Sequence, residues 1–376
     1  MGDPHFRILT SAEEFGTVRD AWISLYGSSG CTSPAMTGAA VHAFLEHGLA
    51  ANESAVVVLA ESGGRLIGAL PTVAHHHRGG LQLSTFHDNH TYGVEFLLDP
   101  SWPGLPASLV SFLALELPAL QTITLADVPA DSGSIDALRR IRGWRMHIDE
   151  SREASFLPVP ASSAAFVSGL SQNFRKNLRK QQTKLNQLTS VEHLFLRGRS
   201  AESELMDAFL ELEASGWKGR SGTAIVSQPT VQSFFRSLAA GLAAEEKLEW
   251  HFLKSADRLI GAQMGVRCAG VLNLLKIAYD EEYAAVGPGN MLFLGMLEQE
   301  RGAGRAAEVN CLTDMPWHRN WRMSRRMHLK LTLYRKQLLP TMLGYAPAVA
   351  ADLVRRSPLA HSLVRAVKRV LLRHPR

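Results

Sequence analysis

The apolar and polar positions of this chain form two similar series, and one pentapeptide marks the same point in each. "RLIGA" occurs at Arg65–Ala69 and again at Arg258–Ala262. The first copy follows "VVVLAESGG" and the second "EWHFLKSAD", each a strand-like run closed by a polar turn, and each copy leads into another strand-like run. Short alternating runs bounded by turn residues predict strands, whereas apolar residues recurring every three or four positions predict helices. In the first series a strand at "FRIL" precedes a helix begun at Ser11, a good N-cap with acids behind it. A helix near 36–48, strands near 54–61, 65–74 and 80–87, a helix near 105–117 and a strand near 121–128 follow. The second series has helices near 171–187, 201–216 and 229–243, then strands near 248–255, 258–267 and 270–279. A helix near 289–302 and a strand near 306–312 complete it.

Three antiparallel strands, a helix and a returning strand make a mixed-sheet α/β unit, so the chain reads as that unit written twice. RLIGA then begins the outgoing strand of the hairpin in each copy, its Gly just inside. "LPVPASSAA", within 152–164, predicts the joint. The expected organisation is a first unit over 1–151, a second over 152–338 and a basic helical tail over 339–376.

Composition narrows the class. A chain of 376 residues, 46% hydrophobic and 20% charged, reads as globular, with length for two cores. No run of about 18 apolar residues predicts a spanning helix. "MGDPHFRIL" has neither the basic-then-apolar pattern of a signal peptide nor the Ser/Thr of a myristoylation signal. Three scattered cysteines, Cys31, Cys268 and Cys311, predict no disulfide framework or zinc site and fit a reducing cytoplasm, with Cys311 a small core residue. His75, His76 and His77, with His87 and His90, invite a metal, but consecutive strand residues alternate faces, so none is expected.

Charge is unevenly spread. From Met315 onward fourteen Lys/Arg face one acid, Asp352, which puts +13 of charge in the tail and leaves 1–314 at −8 within a total of +5. Beyond Pro358, Leu359, Leu363, Val367 and Leu371 form one helical ridge, with Arg365, Lys368, Arg369 and Arg373 beside or opposite it. Such a helix lies on an anionic membrane surface or packs on its own domain; both readings stand. No DNA partner is expected.

The stretch "YDEEYAAVGPGNML" carries the most chemistry. A strand ends near Tyr279, and Gly287-Pro288-Gly289 leads into a helix whose first amides are free and positively polarised. Val286, Gly287, Gly289, Asn290 and Met291 therefore form a diphosphate cradle, or else an ordinary turn. The first unit has "HTYGVEFLLDPSWPGLP" in that place, without Gly-Pro-Gly, so the diphosphate site is expected in the second. Tyr279 and Asp280, with Glu282 and Tyr283, cluster at the strand end as candidates for an acid and a base, and Asp314 ends the next strand. "FRKNLRKQQTKL" aligns Lys176, Lys180 and Lys184 on one stripe beside Arg175 and Arg179, with no acid between Glu153 and Glu192. That stripe contacts an anionic acceptor, such as a nucleotide-linked or lipid-diphosphate-linked sugar, or is a solvated face. Trp217, Lys218 and Arg220 line the same cleft, or Trp217 is core. Arg322, Arg325 and Arg326 offer guanidinium forks for phosphates.

Four stretches together resemble a known superfamily: "NFRKNLRKQQTKL" (173–185), "ELEASGWKGRSGTA" (211–224), "LLKIAYDEEYAAVGPGNML" (274–292) and "VNCLTDMPWHRNW" (309–321). Their order and spacing resemble the acyl-CoA N-acyltransferase (GNAT) superfamily in tandem form. The resemblance is to the BioF2-like/CelD-like acetyltransferases of bacterial polysaccharide gene clusters and, more distantly, to the Fem aminoacyltransferases. It spans roughly 5–335 and is strongest over 171–322. It implies two GNAT-like domains, acetyl-CoA as co-substrate without a metal, and a small or lipid-linked amino-sugar acceptor in the cleft between domains. The related families carry a Lys between two aromatics just after the last strand. Here Trp317-His318-Arg319-Asn320-Trp321 has His318 in its place, so a protonated His318 or Arg319 supplies the positive group. A relative known as a cyclic-di-GMP effector makes Arg322, Arg325 and Arg326 a regulatory-nucleotide expectation. The rivals are a Fem-type transferase using aminoacyl-tRNA and a non-catalytic pair serving as a nucleotide-binding regulator.

Overall fold

The structure, a computed structural model, describes residues 3–77, 80–86, 91–198 and 203–356. β1 (His5–Leu9), α1 (Ala12–Gly16), α2 (Arg19–Ser29) and α3 (Gly38–His47) lead into strands β2 (Ser54–Ser62), β3 (Arg65–His77) and β4 (Gly80–Thr85). β5 (Leu97–Leu98), α4 (Leu105–Glu116), β6 (Leu120–Pro129), α5 (Ser134–Arg139) and β7 (Trp144–Pro158) follow. The second series opens with α6 (Ser163–Gly169), α7 (Gln172–Leu185), β8 (Val191–Arg197), α8 (Ser203–Ser215), α9 (Trp217–Arg220) and α10 (Pro229–Ala244). It continues through β9 (Leu248–Ser255), β10 (Arg258–Cys268), β11 (Val271–Tyr279), α11 (Pro288–Ala303), β12 (Glu308–Asn310) and β13 (Ser324–Arg335). α12 (Leu338–Pro340), one π turn and α13 (Ala346–Arg356) close the described chain.

All thirteen strands share one mixed sheet, in the order β1-β2-β3-β4-β6-β13-β7-β12-β11-β10-β9-β8, with β5 on β3. The duplication is in the topology. β2, β3 and β4 are antiparallel and β6 returns parallel to β4; β9, β10 and β11 are antiparallel and β12 returns parallel to β11. This is the expected α/β fold of two like units.

RLIGA has a structural meaning in both copies. Ile67 is the extra residue between the pairs Ala60–Gly68 and Glu61–Leu66, and Ile260 is the extra residue between Leu259–Lys254 and Gly261–Leu253. Each is a β-bulge that bends the hairpin. The glycine after it lies under the unit's helix: a Cβ on Gly68 overlaps Leu105 of α4, and one on Gly261 lies 2.9 Å from Leu292 Cδ1 and 3.1 Å from Pro288 Cβ of α11. The repeat thus encodes a bulge and a place for a helix to sit close to the sheet.

One core lies under α4 and takes in Leu331 and Leu333 of β13, and a second lies under α7 and α11. The third spans both units, joining Trp22 and Phe44 to Phe235 and Trp250. There α3 packs on α10, and Glu245 accepts the Ala39 N–H at 2.6 Å.

Sequence and structure part at the joint. The expected linker over 152–164 is largely β7, which runs to Pro158 and pairs with β12 and β13. β13, for which no span is predicted from the sequence, lies between β6 and β7. The strand expected over 306–312 is confined to 308–310, because Leu312 takes a left-handed conformation with φ 58°. The ridge at Leu359–Leu371, His87 and His90 lie outside the described residues.

Candidate active site

The site begins where two parallel strands part. β11 pairs with β12 only over Val271–Asn273 and Glu308–Asn310, yet β11 runs on to Tyr279. Leu275 is a further bulge, between the pairs Lys276–Met264 and Leu274–Gly265. Beyond Asn273 the β12-side edge of β11 has no ladder partner among the described residues. Side-chain alternation separates two faces here. Leu272 and Val309 share a core with Leu292 and Phe293 of α11, whereas Asn273 and Asn310 line a cavity on the opposite face.

On the α11 face, Asp280 caps the turn Glu281–Val286 by accepting the Glu282 N–H at 3.0 Å, and Arg258 bridges it at 2.6 Å. Gly287 is left-handed at φ 64°, and a Cβ on it overlaps the Gln181 side chain. A Cβ on Gly289 meets nothing within 4 Å. Pro288 has no N–H, so the Gly289 and Asn290 amides form the open first turn of a sixteen-residue helix.

The basic helix α7 lies against this turn, and Asn290 Nδ2 donates to Gln181 Oε1 at 3.0 Å. Lys176, Arg179 and Lys180 are exposed and make no ion pair among the described residues, while Arg175 donates to the Ser168 carbonyl. Lys218 is held by buried Glu213 at 2.6 Å, and Glu213 also accepts the Ile225 N–H at 2.9 Å. Trp217 is 56% exposed, which excludes the core reading; its backbone N–H donates to Glu281 Oε1 at 2.8 Å.

The opposite face holds a cavity of about 520 Å³ between the units. Its walls include Cys31 and Ser33 after α2, Tyr92, Glu95 and Asp99 around β5, Asp131 and Ser132 before α5, Arg152 of β7, and Asn273, Glu308, Asn310, Arg326 and His328. Glu95 is half-buried; desolvation raises its carboxyl to about 7, opposed by the Ser132 hydroxyl donating at 2.8 Å and aided by the Asp131 charge. Burial, with the nearby Arg152 charge, pushes His328 below the usual imidazole range and keeps it neutral. Burial raises the Cys31 thiol to about 12, so it is protonated and no thiolate nucleophile.

The residues expected to be catalytic fall into two separate pairs. Tyr279, 41% exposed, and the capping Asp280 end β11. Asp314 accepts the Ser155 hydroxyl at 2.7 Å and pairs with Arg325 at 3.2 Å, near His318. His318 is buried, its Nδ1 accepts the Met315 N–H at 3.0 Å, and desolvation lowers it to about 4 against the pull of Asp314. It is neutral near pH 7, so the positive charge expected of it is not available there. None of these four residues lines the cavity, and neither do Arg175, Lys176, Arg179, Trp217 or Lys218. Nor do Arg322, Arg325 and Arg326 offer a shared fork: Arg322 donates to the Gly169 carbonyl, Arg325 binds Glu153 and Asp314, and Arg326 holds Glu308 through two bonds of 3.0 Å. Arg325 and Arg326 are adjacent on a strand and point to opposite faces.

Residues 172–317 match the family model described as Acetyltransferase (GNAT) domain. The fold is GNAT-like, in two units. The crystal structure of FemX superposes with a TM-score of 0.57 at 10% identity, covering 88% of this chain and 97% of that one. The structure of L-PGS from Bacillus licheniformis gives 0.53 at 12%, covering 90% and 95%. A conserved protein of unknown function from Bacteroides thetaiotaomicron gives 0.55 at 9%, covering 88% and 100%. At such identities the likeness is one of fold. No curated protein matches the chain significantly.

Proposed function

We propose that the protein is an N-acyltransferase that moves an acetyl or similar acyl group from acyl-CoA to an amino sugar, in cell-surface polysaccharide synthesis. The observation that carries the reading is the gap between β11 and β12, with a phosphate-suited helix start on one face and a polar cavity on the other. The first turn of α11 holds the donor diphosphate, and the thioester reaches the cavity through the gap. The basic helix α7 serves these phosphates rather than the acceptor, because it borders the donor loop and not the cavity. The polysaccharide setting rests on the sequence resemblance.

Two substitutions test the donor side. Gly289→Val fills the open space above the first amides and weakens CoA binding at least about tenfold, ~1.4 kcal/mol. Unchanged affinity in a folded variant removes the cradle. Reversing Lys176 and Lys180 to Glu weakens CoA about fivefold, an effect that shrinks in high salt. A rise in acceptor KM with CoA affinity intact returns α7 to the acceptor.

A Fem-type aminoacyl-tRNA donor is the second reading, favoured by the FemX fold likeness; transfer from aminoacyl-tRNA without thiol release from acetyl-CoA selects it. We also propose weak attachment to anionic membrane through the tail. Leu338, Leu339, Met342, Leu343 and Leu353 are all more than half exposed, and basic sequence follows them. No described helix is long and apolar enough to cross a membrane. Full-length protein should sediment with phosphatidylglycerol vesicles and a chain ending at Arg356 should do so less; equal pelleting rejects this role for the segment beyond 356.

A further inference from the structure

We infer that the cavity between the two units takes a small primary amine carrying no phosphate, bound as its ammonium by carboxylate and amide oxygens of the walls. This rests on the reading of that cavity as the acceptor site, and it narrows the acceptor's chemistry.

The first support is the charge of the walls. Glu95, Asp99, Asp131 and Glu308 face only Arg152 and Arg326. Both guanidinium groups are already committed. Arg326 is held by Glu308, while Arg152 pairs with buried Asp127 at 3.0 Å, donates to the Leu312 carbonyl and stacks on Tyr92. A phosphate here finds no free fork and meets the carboxyls of Glu95, Asp99 and Asp131, which no guanidinium holds; an ammonium meets partners.

The second support is a buried acceptor atom lacking a donor. Asn273 is 0% exposed and lines the cavity. Its Nδ2 donates to the Thr32 carbonyl at 3.1 Å and the Val266 carbonyl at 3.4 Å, but Oδ1 is buried with no partner among the described residues. Buried polar atoms are nearly always paired, so this orphaned oxygen, shut off from solvent behind the wall, gains a donor only when the wall adjusts around a bound N–H. An ammonium group offers three donors.

Glu95 completes the arrangement, since a carboxyl titrating near neutrality accepts a proton from the bound ammonium. The free amine then forms the N–C bond to the thioester carbon, the C–S bond breaks, and the second amine proton goes to the thiolate. Amide and thiol result, and Glu95 returns its proton to solvent. A volume of about 520 Å³ suits a monosaccharide-sized acceptor.

The test is calorimetric binding to the full chain without donor, using glucosamine, glucosamine 6-phosphate and glucose. Glucosamine should bind at least about tenfold more tightly than either analogue. Asp131→Asn should weaken it several-fold, and Asp131→Arg should shift preference toward the phosphate ester. Equal or tighter binding of the 6-phosphate or of glucose, or no binding of any of the three, overturns the inference. Selective amine binding without thiol release from acetyl-CoA leaves it standing and rejects the donor instead.

Discussion

Glu95→Gln should lower kcat/KM for the amine about 10²–10⁴-fold near pH 8 and abolish the part of the pH profile that rises around pH 7. Glu95 sits in a wall with the Asp131 charge, the Ser132 hydroxyl and the neutral Cys31 thiol, and desolvation holds its carboxyl to about 7. Below that value it is protonated and cannot accept the ammonium proton; above it, it can. The same shift has a stability consequence of known sign. Between the ordinary carboxylate value near 4.5 and about 7 the folded state binds the proton that the unfolded state has lost, so stability falls as pH rises through that window. Glu95→Gln removes this loss, and at about pH 8 should stabilise the fold by roughly 1–3 kcal/mol while activity collapses. A variant that keeps the rising limb excludes Glu95 as the base. Chemical denaturation near pH 5 and pH 8 checks the second part.

The two RLIGA glycines should respond differently to the same change. Gly261→Val drives side-chain carbon into Leu292 and into Pro288, the rigid first residue of α11, and should cost about 2–3 kcal/mol by overpacking. Because Pro288 precedes the open amides of Gly289 and Asn290, donor affinity should fall as well. Gly68→Val meets Leu105 of α4, in the unit without the Gly-Pro-Gly helix start, and should destabilise comparably without weakening CoA. Urea melts and CoA titrations of both variants make the comparison. A CoA defect in Gly68→Val matching that of Gly261→Val contradicts the assignment of the donor to the second unit alone.

What the sequence disclosed was local. RLIGA, the hairpins and Gly-Pro-Gly are short patterns whose geometry follows from neighbouring residues, and β2, β3, β6, β9, β10, β11, α3, α4, α7, α10 and α11 fall close to the expected spans. β7 is hidden because 144–158 is rich in charged residues and runs into "LPVP" at 157–160, while its partner β13 lies about 180 residues later in the chain. Only that long-range pairing makes it a central strand. The cavity was hidden for a like reason. Glu95, Asp131, Arg152, Asn273 and His328 come from separate segments with no fixed spacing, and nothing in the stretch "HTYGVEFLLDP" marks Glu95 as part of a cavity wall. The expected charge on His318 failed because its protonation is set by burial and a bond from the Met315 N–H, neither of which is written in "PWHRNW".

The central claim is transfer of an acyl group from a thioester on the α11 face to an amine in the cavity opposite. Its most direct measurement follows thiol release and amide product together, by thiol titration and mass spectrometry, with acetyl-CoA and glucosamine on the full-length chain. The account predicts one N-acetylated product per thiol released, lost in Glu95→Gln and slowed at subsaturating CoA in Gly289→Val. Neither thiol nor amide formed above background, with both ligands shown to be bound, would contradict it.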